Sequence, residues 1–476
     1  MSGDQRAARP QPGLPSTLDA HAAHAAHAAD PGSPAVLGDG GAALPGAITR
    51  RAALRRAGGL AGVAGAGWLL AACGGSSSSS SSSASSSASS SAGASSSASS
   101  SSSLKPSSDP SVPLASKGNP LTLPIYSDNK PIASGKSPEK GPLQIYDWAA
   151  YLSPAVVKSF EQKYGVQAQV TNFASIDEAI NKIASGAVTP DVWVPESQRI
   201  AELVQAKLIQ PINHSYIPNL DNAIPAAGNP WYDQGAQYST PNFINLFGIA
   251  WRNDLLHIDP GSLSDPWSVF WKAPSSTSIG LVNADPEDAL MMALLHLGRT
   301  SFDTLSEKDI NEAAAALAEL HNAKWQYTCF QPIATGSEQL AYGFNGDMVQ
   351  VPHYLPKSTP LSSVSFFFPP SGKGYILNDL WVIPRRANNP VLAHLFMNHF
   401  LEEQSAVDNF RDEGYQTMLK GLTIGKLEAA KVAPTHAVEM AFATPPMQAN
   451  GLPAPIFNPH QLVWIERAFA QLTSAG

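Results

Sequence analysis

Cysteine is almost missing from this 476-residue chain: Cys73 and Cys329 are the only two, and they lie far apart. That count excludes a Cys/His zinc framework and a disulfide-stapled scaffold. Charge is also scarce, at 14% of residues, and 30 basic against 38 acidic side chains give a formal net charge of −8. The clustered Lys and Arg needed to neutralise phosphates are lacking, which argues against a nucleic-acid partner. No run of about 18 strongly apolar residues occurs, so a multi-span membrane protein is excluded. What the chain does have is a 43% hydrophobic fraction, enough for a core, with 40 prolines and 36 glycines that demand many loops.

The first quarter is an address rather than a fold. Residues 1–72 are expected to be an export signal with a long leader. A biased Ala/Gly/Pro stretch carries a His-Ala-Ala repeat at His21, His24 and His27, which compositional bias explains without a metal. Arg50-Arg51 and Arg55-Arg56 precede a short run of small and apolar residues from Ala57 to Leu70. Basic residues, an apolar stretch and a small-residue end are the three parts of an export signal. The paired Arg50 and Arg51 resemble a twin-arginine signal, with general secretion as the other route. Leu70-Ala71-Ala72-Cys73 resembles a lipobox, so Cys73 is the expected lipid anchor, holding the protein to the outer face of the cytoplasmic membrane. Residues 73–141 then read as a Ser- and Pro-rich disordered tether. Cleavage before Cys73 removes six arginines and four aspartates, so −8 becomes −10. Cys329 is left as a lone thiol in the folded part and is expected to be a small buried hydrophobe.

From about residue 142 strands and helices alternate. Leu143–Tyr146 reads as a strand, and Ser153-Pro154 opens a helix carrying Val156, Val157, Phe160 and Tyr164 on one face. Val166, Ala168 and Val170 alternate as a strand. Ser175 with Glu178 predicts a capping box before Ile176, Ile180 and Ile183. Asp191–Val194 is the next strand, followed by a helix with Ile200, Leu203, Val204 and Leu208. This order predicts a parallel sheet covered by helices, with ligands beyond the C-terminal strand ends. The first such loop is Asp147–Tyr151. A second stretch, Phe247–Ile376, repeats the alternation, with strands at Phe247–Trp251, Ser278–Val282 and Met348–Val351.

Five local patterns resemble the bacterial polyamine-binding proteins, the spermidine/putrescine receptors of ABC importers. They are Tyr146–Tyr151, Asp191–Pro195, Asp285–Asp288 with Met292–Gly298, Asn378–Pro384, and Gly414–Thr417. The resemblance implies an α/β, two-lobed type II periplasmic-binding fold with a hinge of crossing strands near Phe247 and Leu377. Lobe 1 is then expected over 142–246 and 377–424, and lobe 2 over 247–376 and 425–476. It implies a monomeric solute-binding lipoprotein, not an enzyme, without cofactor or metal. Such a protein captures a polyamine or related cationic amine and delivers it to an ABC permease and its ATPase.

A polyamine is an apolar rod with cationic ends, and it needs carboxylates for its ammonium groups and aromatic faces for its methylenes. By resemblance, Asp285, Asp288 and Asp379 are the acids, and Trp148, Tyr151, Phe344 and Tyr415 the aromatic walls. Asp285 and Asp288 also suit an N-cap and a first helical turn. Three positions depart from the family: Ala149 replaces a hydroxyl, Gln198 a common tyrosine and Leu377 a common tryptophan. The same fold could therefore take another amine, an amino-acid-like solute or a metal, or serve as a sensor. An iron receptor would want paired tyrosines, which do not occur here. A hydrolase would want a Gly-x-Ser-x-Gly elbow, and none is present; His296, His321 and His353 stand beside no evident nucleophile.

Overall fold

The computed structural model describes residues 116–282 and 286–474. Arg50, Arg51, Cys73 and Asp285 lie outside the described residues.

The chain opens with β1 (Leu143–Trp148), α1 (Pro154–Tyr164), β2 (Ala168–Phe173), α2 (Ile176–Ser185), β3 (Val192–Trp193) and β4 (Ile209–Gln210). Ser153 caps α1 through its hydroxyl, and left-handed Gly165 ends it with Val156 and Phe160 buried. In α2, Ser175 accepts the Glu178 N–H, and Ile176, Ile180 and Ile183 are buried. Glu178 accepts from the Ala174 backbone instead of closing the expected box on Ser175. β1 pairs in parallel with β2 and β3. β2 is the sheet edge, so the alternation that marked it as a strand does not bury Val170, which is 39% exposed.

β5 (Ser239–Arg252) leads to β6 (Ile279–Val282), α3 (Pro286–His296), α4 (Glu307–Ala318), β7 (Ala323–Gln326), β8 (Leu340–Phe344) and β9 (Val364–Phe367). β10 (Tyr375–Pro384), α5 (Pro390–Phe400), α6 (Glu403–Glu413), β11 (Leu452–Pro453) and α7 (Pro459–Ser474) follow. Met348–Val351 is not a strand. Gly346–Val349 is a tight 3-10 turn and Val351–Tyr354 a short helix with Pro352 in its first turn. The apolar residues there are buried, and a short buried apolar run does not by itself distinguish strand from helix.

Two strands join the halves. β5 pairs antiparallel with β10 from Ser239 to Phe247, and with β8 and β9 from Phe247 to Arg252. β10 in turn reaches β3 and β4 at its C-terminal end. One half is thus β2-β1-β3 with α1, α2, α5 and α6. The other is β8-β6-β7, with α7 packed on α3 and α4. The two crossing strands form the expected hinge, with Phe247 opposite Tyr375 and Asn245 opposite Leu377.

Among the described residues, packing is present ahead of residue 142, where the folded part was expected to start. Leu123 is buried, and the Asn129 amide donates to the Ile209 carbonyl at 2.8 Å. Glu139 accepts the Val391 and Leu392 N–H groups at the start of α5, where a helix offers unpaired donors. Cys329 is fully buried, as expected for a small hydrophobe.

Candidate functional site

The C-terminal end of β1 is where a parallel sheet presents its ligand loops, and here it opens into a cleft of about 820 Å³. Trp148, Ala149, Ala150 and Tyr151 form one wall. The loop turns at Ala150, whose φ of 53° lies in the left-handed region that non-glycine residues seldom adopt. Trp148 packs on Phe173 with ring centres 4.4 Å apart, and Tyr151 packs on Tyr415 at 4.7 Å.

Asp379 is aimed at this cleft by a break in the ladder. The pairing of β10 with β5 shifts register between Asn378 and Leu380, and Asp379 bridges Glu196 at the end of β3 instead. Such irregularities re-aim side chains at sites. Asp379 is 2% exposed, and its Oδ2 accepts the Tyr151 hydroxyl and the Asn245 amide, the latter at 2.7 Å. Burial pushes its carboxyl up to about 7, although both hydrogen bonds oppose that rise.

Three further acids line the cleft. Glu196 takes the Gln198 amide at 2.7 Å. Burial, then the charges of Asp288, Asp379 and Glu287, push it well above the ordinary carboxylate range against the pull of Arg199. Asp347 accepts the Cys329 backbone N–H at 2.7 Å and the Tyr415 hydroxyl at 3.3 Å, and burial raises it to about 6. Glu413, the last residue of α6, is raised to about 7 by burial and by adjacent Asp412. Tyr327, Phe330, Phe344 and Tyr354 complete the aromatic lining from the second half. The lining thus holds four carboxylates and seven aromatic rings, and no Lys, Arg or His is among the described lining residues.

Five of the residues singled out in the sequence meet in this cleft: Trp148, Tyr151, Phe344, Asp379 and Tyr415. Asp288 does not line it. It is fully buried in the first turn of α3, where its Oδ1 accepts the Tyr375 hydroxyl at 2.8 Å, and its charge reaches the cleft by raising Glu196. Leu377 lines the cleft, whereas Gln198 only orients Glu196. The sequence reading passed over Glu196, Asp347 and Glu413. Glu196 follows Pro195 at a strand end, so the reasoning that marked the β1 loop applied to it equally. Asp347 stands three residues after Phe344, and Glu413 two before Tyr415. Tyr327, Phe330 and Tyr354 carried no local signal; the chain topology alone brings them in.

A cleft between two α/β halves joined by crossing strands defines a solute-binding protein. The chain belongs to the bacterial extracellular solute-binding protein family, which it matches over residues 155–434, more than half its length. It is similar to the putrescine/cadaverine-binding protein of Pseudomonas aeruginosa, with 25% identity over 276 residues, 56% of this chain and 75% of that one. The spermidine/putrescine-binding periplasmic protein of Salmonella typhimurium is 26% identical over 300 residues, covering 61% and 81% respectively. Among solved structures, the spermidine/putrescine ABC transporter substrate-binding protein PotD from Streptococcus pneumoniae matches with a TM-score of 0.57 at 22% identity, covering 70% of this chain and 98% of that one. The fold is therefore the two-lobed type II periplasmic-binding fold.

Proposed function

We propose that this protein captures a polyamine or a related cationic amine outside the cell and passes it to an ABC permease driven by its ATPase. The observation that carries the reading is the composition of the cleft: four carboxylates among seven aromatic rings, with no basic side chain in the described lining. An ammonium group gains charge-assisted hydrogen bonds there, and its methylenes gain aromatic faces. A carboxylate-bearing solute would meet four acids and no counter-charge. The names of the Pseudomonas and Salmonella relatives point to the same ligand class.

The protein works as a monomer and releases its solute chemically unchanged. Export under the Arg50-Arg51 signal and acylation of Cys73 hold it at the outer face of the cytoplasmic membrane, with the serine-rich stretch as spacer. Asp288, in the first turn of α3, adds negative potential behind the cleft through its effect on Glu196. Calorimetric titration with putrescine, cadaverine, spermidine and γ-aminobutyrate tests the reading. Saturable binding of at least one amine, with none of γ-aminobutyrate, supports it. Preference for the zwitterion, or no amine binding, overturns it.

A further inference from the structure

We propose that residues 117–139 form a strap that braces the hinge: clamped along the first half and tied by Lys117 to the second, it opposes opening of the cleft and slows release of the solute.

Between Ser116 and Pro142 the chain has no helix or strand, so other contacts must offset the entropy cost of ordering it. Those contacts are spread along its length. The Leu121 N–H donates to the Trp231 carbonyl at 2.7 Å, and the Leu121 carbonyl accepts the Gln234 N–H at 2.9 Å. Trp231 and Gln234 lie in the loop ahead of β5, whose first residue, Ser239, stands opposite Val382 in the first half. Leu123 is 3% exposed. Asp128 holds Lys207 at 2.9 Å, and its carbonyl accepts from Arg385 at 2.8 Å, just past the end of β10. Asn129 on β4 and Glu139 at the start of α5 complete a clamp that belongs to the first half.

The other end of the segment reaches the second half. Ser116 and Asn119 exchange two backbone hydrogen bonds of 3.0 Å around a turn, and the Lys117 ammonium at that turn donates to the Gly451 carbonyl at 3.2 Å. Gly451 directly precedes β11, which pairs with the Tyr375 end of β10 and runs on into α7, packed on α3 and α4. The tie therefore links the halves without passing through β5 or β10. Four residues separate Lys117 from Leu121, and the turn takes up slack between them. A rotation that carries Gly451 away from Trp231 has to break the Lys117 contact or pull Leu121 off its partners. The halves touch in this structure, with Tyr415 on Asp347 at 3.3 Å and Gln350 on the Asp412 carbonyl at 2.6 Å. The Lys117 tie thus belongs to the form in which the halves meet, and a contact present in one form and lost in the other shifts their balance. Both the strap and Gly451 lie outside residues 155–434, so the brace is an addition to the stretch matched to the family.

The test is stopped-flow release of putrescine from the full chain, with the amine serving only as probe. Lys117→Met keeps the stem and removes the donor. It should speed release by about 2- to 5-fold, as expected for one partly exposed hydrogen bond from a charged group, with association within about twofold of wild type. Leu123→Ala loosens the clamp and should also speed release. Combining it with Lys117→Met should add little, because a strap held at one end transmits nothing. In the unliganded protein, Lys117→Met should raise hydrogen exchange at the Leu452 and Ala454 amides, which bond to the Gly374 and Ile376 carbonyls beside Gly451. Unchanged release from Lys117→Met, or a double variant whose effects add in full, overturns the strap and leaves the amine reading standing. If wild type binds no amine, that reading falls and exchange decides the strap: faster exchange in Lys117→Met supports it, and unchanged exchange overturns it.

Discussion

The guanidinium of Arg199 lies 3.6 Å from the carboxylate of Glu287, and this pair joins the two halves of the molecule. Arg199 follows β3 in one half, and Glu287 sits in the first turn of α3 in the other. Arg199 also holds Asp177 at 2.8 Å and Glu202 at 3.3 Å, and its side chain is 9% exposed. Only contacts that differ between open and closed forms can shift their balance. Glu287→Gln removes the cross-half charge and leaves Arg199 its two partners at home. We expect about 0.5–1.5 kcal/mol less stabilisation of the closed form, and ligand dissociation faster by roughly 2- to 12-fold. Stopped-flow release measures it; an unchanged off-rate would show that the pair does not hold the halves together.

Legibility followed physical range. α1, α2 and the strands of the first half could be read because caps and apolar spacing are local signals. Tyr151 and Asp379 were named by the family resemblance, and local pattern agreed with it: one lies in the loop after β1 and the other in a largely apolar strand. The Asp379–Glu196 bridge joins strands far apart in sequence, so no local pattern tied Glu196 to Asp379, although its place after a strand end was itself a readable signal. Asp288 looked like a ligand residue because an acid in a first helical turn has the same appearance whether it faces a cleft or a neighbouring tyrosine. The packed stretch ahead of residue 142 was missed because its anchors, such as Asn129 on Ile209, are isolated polar contacts within loop-like composition.

Acidity should govern binding. Asp379 and Glu413 stand near 7 and Asp347 near 6, against about 4 for an unfolded carboxylate. Between those limits the folded protein binds more protons than the unfolded chain. The contribution of these groups to stability is therefore complete below about pH 4 and lost as pH rises through 6 to 7. An amine acts in the opposite sense, since it needs the ionised carboxylates and expels their protons. Affinity for putrescine should rise between about pH 5 and 8, with protons released near pH 6.5. Titration in buffers of different ionisation enthalpy reads the release directly. Affinity that does not change over this range would contradict the account.

Gly414 should tolerate no side chain. Its φ is 82°, and a Cβ there would lie 2.1 Å from the Gly346 carbonyl oxygen. Gly346 itself is pressed against the Tyr415 ring. Gly414→Ala should cost about 1–3 kcal/mol and weaken ligand binding by moving Tyr415. Gly425→Ala is the control, because a Cβ there meets nothing within 4 Å. Urea unfolding of both variants checks the expectation, and equal stability would show that the Gly346–Gly414 approach is not tight.

Anchoring is open to a separate test. Cys73→Ser removes the only thiol able to accept an acyl group at the lipobox. The variant should remain uncleaved or leave the detergent phase in a partition assay. A Ser variant that still partitions as a mature lipoprotein would rule out acylation at this residue.

The central claim is that Asp379 grips an ammonium group in a cleft largely stripped of water. Asp379→Asn is close to isosteric, and Asn can still face the Tyr151 hydroxyl, so the fold should survive. Loss of the charge should weaken amine binding by about 2–4 kcal/mol, or roughly 30- to 1,000-fold. Asp288→Asn, which lies behind the cleft wall, should weaken it far less. Calorimetric titration of putrescine and spermidine against wild type and both variants is the direct measurement. The account predicts tight binding by wild type, a large loss at Asp379→Asn and a small one at Asp288→Asn. Equal affinity of wild type and folded Asp379→Asn for both amines would contradict it.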